Sequence, residues 1–153
     1  MQSKEINLGD IFSLETNKGT ACFQCVEIPF DVKNEVELIK VFYKLFDQKL
    51  FDLDAVTQND FFFTRFPLKA ALRRKFVKKI GNMTLPEDFA SPSFFRTENP
   101  FGKGWHIVNS KTLFRETVTE LTEDQKKLSP WGIMNDTLII ERLEAGWRLE
   151  NWK

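Results

Sequence analysis

Gly9-Asp10-Ile11-Phe12-Ser13-Leu14 is the stretch on which the fold reading turns. A glycine and an acid open a short apolar run, Asn17-Lys18-Gly19 follows as a turn, and Ala21 to Ile28 reads as a second strand. A third run, Leu38 to Phe46, alternates. Ile39, Val41, Tyr43 and Leu45 share one face, while Leu38, Lys40, Phe42, Lys44 and Phe46 share the other. Alternation with a period of two, bounded by turn residues, marks half-buried strands. Asn17-Lys18-Gly19 is expected to supply the positive-φ positions of a tight hairpin. Pro29 ends the second strand, because it has no N–H to give a ladder. Strands so close in sequence pair as an antiparallel meander. The expected fold class is α+β: a strongly curved antiparallel sheet, or SH3-like barrel, at the N-terminus, with a few short helices, one of them near the C-terminus.

Downstream, Asp31 to Glu35 is a polar connection, and Asp47 to Asp60, with apolar Leu50, Phe51 and Leu53 between its acids, reads as a loop with a short helical turn. Phe61-Phe62-Phe63 opens a strand that ends at Phe66-Pro67. Three adjacent phenylalanines cannot all face one side of a strand, so either both faces are covered or one ring reaches solvent. From Leu68 to Ile80, Leu68, Leu72, Phe76 and Ile80 recur at helical spacing, yet Phe76 to Ile80 before Gly81-Asn82 also suits a strand. A helical turn to about Arg74 and a strand from Lys75 is the expectation. Prolines at 86 and 92 exclude a long helix between Leu85 and Arg96. Asn99 to Gly104 is a turn cluster leading into a strand, Trp105 to Val108, with Leu113-Phe114-Arg115 as its continuation. Thr122 and Gln125 match a capping box for a short helix to about Lys127. Asn135 or Asp136 can cap a helix over 137–145, with Leu138, Ile139 and Leu143 inward and Gly146 as its left-handed end. Trp147, Leu149 and Trp152 then fold back on the sheet.

The 153 residues suit a single domain spanning 1–153. A chain of this size buries roughly two-thirds of the surface it exposes when unfolded. Its 16 phenylalanines and four tryptophans fit a β-rich core, since aromatics favour pleated surfaces. Twenty-two basic and 22 acidic residues cancel. General nucleic-acid binding is therefore not expected, because that role draws its affinity from a basic excess. No apolar run approaches the ~20 residues that span a bilayer, and Met1 to Asp10 lacks a signal-peptide pattern, so no membrane association and a cytoplasmic location are expected.

No constellation for catalysis, cofactor or metal is read from the residues. Cys22 and Cys25 lie three apart inside a strand and face opposite sides, so they read as ordinary reduced thiols. His106 is the sole histidine and reads as structural. Glu87-Asp88 and Glu123-Asp124 are sequence neighbours whose carboxylates diverge. No phosphate loop, nucleophile elbow or zinc-helix motif occurs. Binding without catalysis is the class this favours.

Taken together, Ile6-x-x-Gly9-Asp10-Ile11-Phe12, the alternating strand, Leu85-Pro86-x-x-Phe89 with Pro92-x-Phe94-Phe95-Arg96, and Leu128-Ser129-Pro130-Trp131-Gly132-Ile133 resemble the immunity protein 26 family. The resemblance implies a cytoplasmic, bacterial, antitoxin-like role: binding and blocking a cognate polymorphic toxin. It brings no catalytic motif and so gives no residue a role. The contact face of such an inhibitor combines aromatic anchors with charges that steer association. Acidic candidates are Asp52, Asp54 and Asp60 with Glu116, Glu120, Glu123 and Asp124, and Phe62 is the candidate ring. That face would suit a basic nuclease toxin. The run Lys69, Arg73, Arg74, Lys75, Lys78 and Lys79 would suit an acidic partner instead. The opening G-D-x-F also resembles the first strand of barrel-type endoribonuclease toxins, for which Arg65, Arg73 and Arg74 are candidates by type. A regulatory barrel binding nucleic acid or peptide is a third reading.

Overall fold

The opening alternation does form strands. In the computed structural model, which describes residues 6–29, 36–47 and 52–152, β1 (Asp10–Thr16), β2 (Gly19–Glu27), β3 (Glu37–Phe42), β4 (Phe61–Phe66) and β5 (Lys78–Asn82) make one antiparallel sheet in the order β4-β3-β2-β1-β5. Phe12 sits opposite Phe23, Phe23 opposite Val41, and Val41 opposite Phe62, so one apolar row runs across four strands. Register shifts between Ile11 and Phe12 and between Cys25 and Glu27 bend the sheet, as bulges do. The expected polar connection at Asp31 to Glu35 and the apolar Leu50 and Phe51 lie outside the described residues.

Three sequence expectations change here. Of the turn residues only Gly19 has positive φ (140°), and the hairpin is closed instead by Thr16, whose Oγ1 donates to Gly19 O (2.7 Å) and accepts from Lys18 N (3.1 Å). Strand β3 stops at Phe42, short of Phe46; the chain bends at Tyr43 and Lys44, and Phe46 returns to exchange two backbone bonds of 2.8 Å with Thr20. The alternation of faces holds through the bend, since Tyr43 and Leu45 still pack with Ile39 and Val41. Finally, β4 and β5 are the two ends of the sheet, and no pairing among the described residues closes it into a barrel.

The ambiguous stretch after Phe66 is both helix and strand. Helix α1 (Leu53–Thr57) precedes β4, and α2 (Leu68–Arg73) follows Pro67, burying Leu68 and Ala71. The strand begins at Lys78, three residues later than expected. Between them Lys75 takes φ 62°, a left-handed conformation that reverses the chain toward β1.

A second antiparallel sheet, β6 (Phe94–Glu98), β7 (Trp105–Asn109) and β8 (Arg115–Val118), takes the C-terminal half in the order β6-β7-β8. Leu113 to Arg115 does not continue β7. The chain turns at Leu113 (φ 64°), and β8 runs back with Arg115 opposite Val108. No helix forms between Leu85 and Arg96, as the prolines require.

Ser129 to Met134 stitches the two sheets. Arg96 N donates to Ser129 O (3.0 Å) and Trp131 N to Arg96 O (2.8 Å), which covers the outer edge of β6. On the other side Phe63 N donates to Ser129 Oγ (2.9 Å) and Met134 N to Arg65 O (2.9 Å), which covers the edge of β4. Helix α3 (Asp136–Glu144) follows, capped by Asn135 Oδ1 on Leu138 N (2.8 Å), and ends at Gly146 (φ 71°). Its Ile139 and Leu143 enter the main core beside Phe12, Phe23 and Phe66. Each such fully buried side chain contributes roughly 1.5–3 kcal/mol.

Candidate binding surfaces

The motifs that carry the sequence resemblance have structural work in this chain. Gly9 holds φ 88°, and a Cβ there would meet Met83 O at 2.5 Å. Asp10, 1% exposed, accepts from Asn7 N (2.8 Å), Asn82 Nδ2 (2.9 Å) and Lys79 Nζ (2.9 Å). Burial alone would raise its pKa, but the bonds from Asn82, Asn7 and Lys79 outweigh that and hold it below 3.8. Glycine and acid together therefore clamp the start of β1 to the end of β5. Arg96, from the Pro92-x-Phe94-Phe95-Arg96 stretch, is completely buried and donates to four backbone carbonyls: Leu128 (3.1 Å), Lys126 (3.0 Å), Leu149 (2.6 Å) and Trp152 (2.8 Å). No carboxylate faces it, and burial pushes its pKa down to about 10. Two tryptophans that meet edge-on lie against the guanidinium, Trp105 at 4.9 Å and Trp152 at 4.4 Å.

The acidic candidates do not form one free face. Asp52 caps α1, its Oδ1 accepting from Asp54 N (3.1 Å). Asp60 is held by Arg148 (2.8 Å), which lies over the Tyr43 ring. Glu123 pairs with Lys126 (2.9 Å), and that bond lowers its pKa. Asp54, Glu116, Glu120 and Asp124 are exposed, Glu116 on β8 and Asp54 on α1. Phe62 is 1% exposed and packs on Tyr43 (5.3 Å) and Trp147 (5.2 Å), because β4 directs it into the main core. Its neighbour Phe61 is the ring that reaches solvent (37% exposed), covered on one side by Lys40 Nζ at 3.9 Å.

The basic run behaves differently. Lys69, Arg73, Arg74, Lys75 and Lys78 are all exposed, and none forms an ion pair with a described residue. Lys79 is the exception, turned inward to Asp10. Phe76, 45% exposed, stands in the middle of this group, directly after the left-handed Lys75. The helix ends at about Arg74, as the sequence leads one to expect, so Phe76 lies beyond it.

The remaining candidates are quieter. Cys22 and Cys25 are buried on opposite faces, as strand geometry requires, and burial raises both thiols to about 12. His106 Nδ1 lies 3.3 Å from Arg115 Nη1, with Phe101 beside the ring. Arg65 is bound to Glu27 (2.5 Å) and to Val36 O (3.2 Å), whereas Arg73 and Arg74 form no ion pair with a described residue. Among the described residues no group of three or more His, Cys, Asp or Glu is arranged to hold a metal, and no helix is long and apolar enough to cross a membrane.

Comparison with known proteins finds no counterpart. No protein-family model, curated protein or solved structure matches the chain.

Proposed function

We propose that this chain is an immunity-type protein of the immunity protein 26 kind. It binds a cognate bacterial toxin in the cytoplasm and blocks it, with no chemistry of its own. The strand order, with β5 returning beside β1, supports reading the first sheet as an opened SH3-like barrel that serves as a recognition scaffold. The contact face is the basic edge from α2 to β5. The observation that carries this choice is the five exposed cations without an ion pair that share positions 69–78 with the half-exposed Phe76. The acidic alternative is weaker, because Asp52, Asp60 and Glu123 already serve bonds within the chain. An exposed aromatic ringed by unpaired charge is how an anchor and a steering field combine at an interface. A formal charge of zero over the whole chain favours an acidic protein surface over a polyanion as the partner.

The test is binding of the purified protein to the toxin domain encoded beside it, at low and at high salt. The complex is expected to weaken with salt and with the double reversal Arg73→Glu, Arg74→Glu, and to weaken at all salt concentrations with Phe76→Ala. These exposed substitutions leave folding intact. Absence of a complex at any salt, or a complex indifferent to all three substitutions, overturns the reading. Tight, steeply salt-dependent binding to unrelated RNA or DNA would transfer the same edge to a nucleic-acid regulator.

A further inference from the structure

The seam between the two sheets forms a partly open pocket of about 290 Å³ beside α3 and Trp131 of the stitching segment. Its walls are mixed. Trp131, Met134, Leu138 and Trp152 supply apolar surface, and Arg142 and Glu98 supply opposite charges. Arg142 projects from the last turn of α3, and its guanidinium lies over the Trp147 ring (4.4 Å), with Trp152 further off (5.9 Å). Yet it donates no hydrogen bond to any described residue, and Nη1 is buried without a partner. Burial lowers its pKa, and the nearby Glu98 charge opposes that shift. The two charges feel each other across the cavity, but they do not come within ion-pair distance.

Arg96 also lies against tryptophan rings, and all of its bonds end on carbonyls of the chain. Arg142 lies against one ring at a similar distance and has no acceptor among the described residues. A guanidinium held in place, half-desolvated and unsatisfied is costly unless an acceptor completes it. Its planar fork matches a carboxylate. Trp131, Met134 and Leu138 give one apolar part of the wall, and the opposite charge of Glu98 stands elsewhere in the lining.

We propose that this seam cavity binds a small zwitterion, an α-amino acid with an apolar side chain. The carboxylate seats against the free donors of Arg142, the ammonium faces Glu98, and the side chain lies against Trp131, Met134 and Leu138. The volume sits at the lower end for small-molecule pockets, which limits the ligand to a single residue in size. This assignment is independent of the basic edge, since no residue is shared between them.

The experiment is titration calorimetry of the full chain with L-leucine and L-phenylalanine, with N-acetyl-L-leucine and L-leucinamide as probes that lack one charge each. Saturable binding of at least one free amino acid is expected. Loss of either charge should weaken it by roughly tenfold or more. Arg142→Lys keeps a cation but loses the fork, and should weaken binding of leucine and N-acetyl-leucine alike. Glu98→Gln, at an exposed position, should weaken leucine and leave N-acetyl-leucine unchanged. Far-UV circular dichroism and melting of both variants check that they remain folded. Absence of saturable binding by any free amino acid overturns the proposal. So does leucine affinity unchanged in folded Arg142→Lys, or N-acetyl-leucine binding as tightly as leucine.

Discussion

Arg96 is joined to Trp152 twice: Nη1 donates to the Trp152 carbonyl at 2.8 Å, and the guanidinium centre lies 4.4 Å from the indole ring. A residue from the second sheet thus holds the last turn of the chain by both its backbone and its side chain. Trp105 also lies 4.9 Å from the guanidinium and meets Trp152 edge-on at 4.9 Å.

Replacing Arg96 should be the most damaging single change in the second sheet. Arg96→Met leaves four carbonyls without a donor, and Arg96→Lys offers a point charge that cannot span them. Both should lose at least about 3 kcal/mol in urea denaturation. Tryptophan emission should shift to the red at concentrations where the parent is still folded, as Trp105 and Trp152 become wet.

Asp10 makes stability depend on acid. Its folded pKa is below 3.8, so between that lower value and 3.8 the unfolded chain binds a proton that the folded one does not. The stabilisation is present above the unfolded pKa and is lost as pH falls through the folded one. Asp10→Ala should cost about 2 kcal/mol at pH 7, and the gap between parent and variant should narrow below pH 4. A gap that is constant from pH 7 to pH 3 would contradict the assignment. Melting temperatures over that range read it directly.

Gly9 tests the other half of the clamp. At φ 88° with Met83 O at 2.5 Å from a built Cβ, Gly9→Ala is both strained and crowded. A loss of about 1–3 kcal/mol is expected, without change in the unfolding slope. Equality with the parent would mean that β1 and β5 separate freely at this end.

The two thiols should be silent in the folded protein. Both are 0% exposed and raised from 9.0 to about 12 by burial. Ellman's reagent at pH 8 should titrate neither until denaturant is added, and both afterwards. With raised folded pKa values, the unfolded chain releases these protons first. Stability should therefore fall as pH rises from about 9 toward 12. Rapid labelling of either cysteine in native buffer would show that β2 opens.

Much of the architecture is written in local patterns. The alternation from Leu38 onward, the Thr122–Gln125 box and the Asn135 cap all rest on interactions between residues close in sequence. They form as read: Gln125 N donates to Thr122 Oγ1 (3.1 Å) and Thr122 N to Gln125 Oε1 (2.9 Å). The split of 68–82 into helix and strand was also legible, apart from the left-handed Lys75, which no local rule demands.

What the sequence by itself determined is the strand runs of the first sheet, the helix caps and the proline breaks, because period, proline and capping chemistry act within a few residues. Strands β6 and β8 and the reversal at Leu113 came only with tertiary pairing. Only the tertiary structure decided which charged groups are free. Asp60 meets Arg148 across 88 positions, Arg96 finds its acceptors from 30 to 56 positions away, and Arg142 finds none. Charge is a property of a residue, but satisfaction of that charge belongs to the contacts that long-range packing creates. Both proposed contact sites, the basic edge and the seam cavity, are defined by cations that this packing left without a partner.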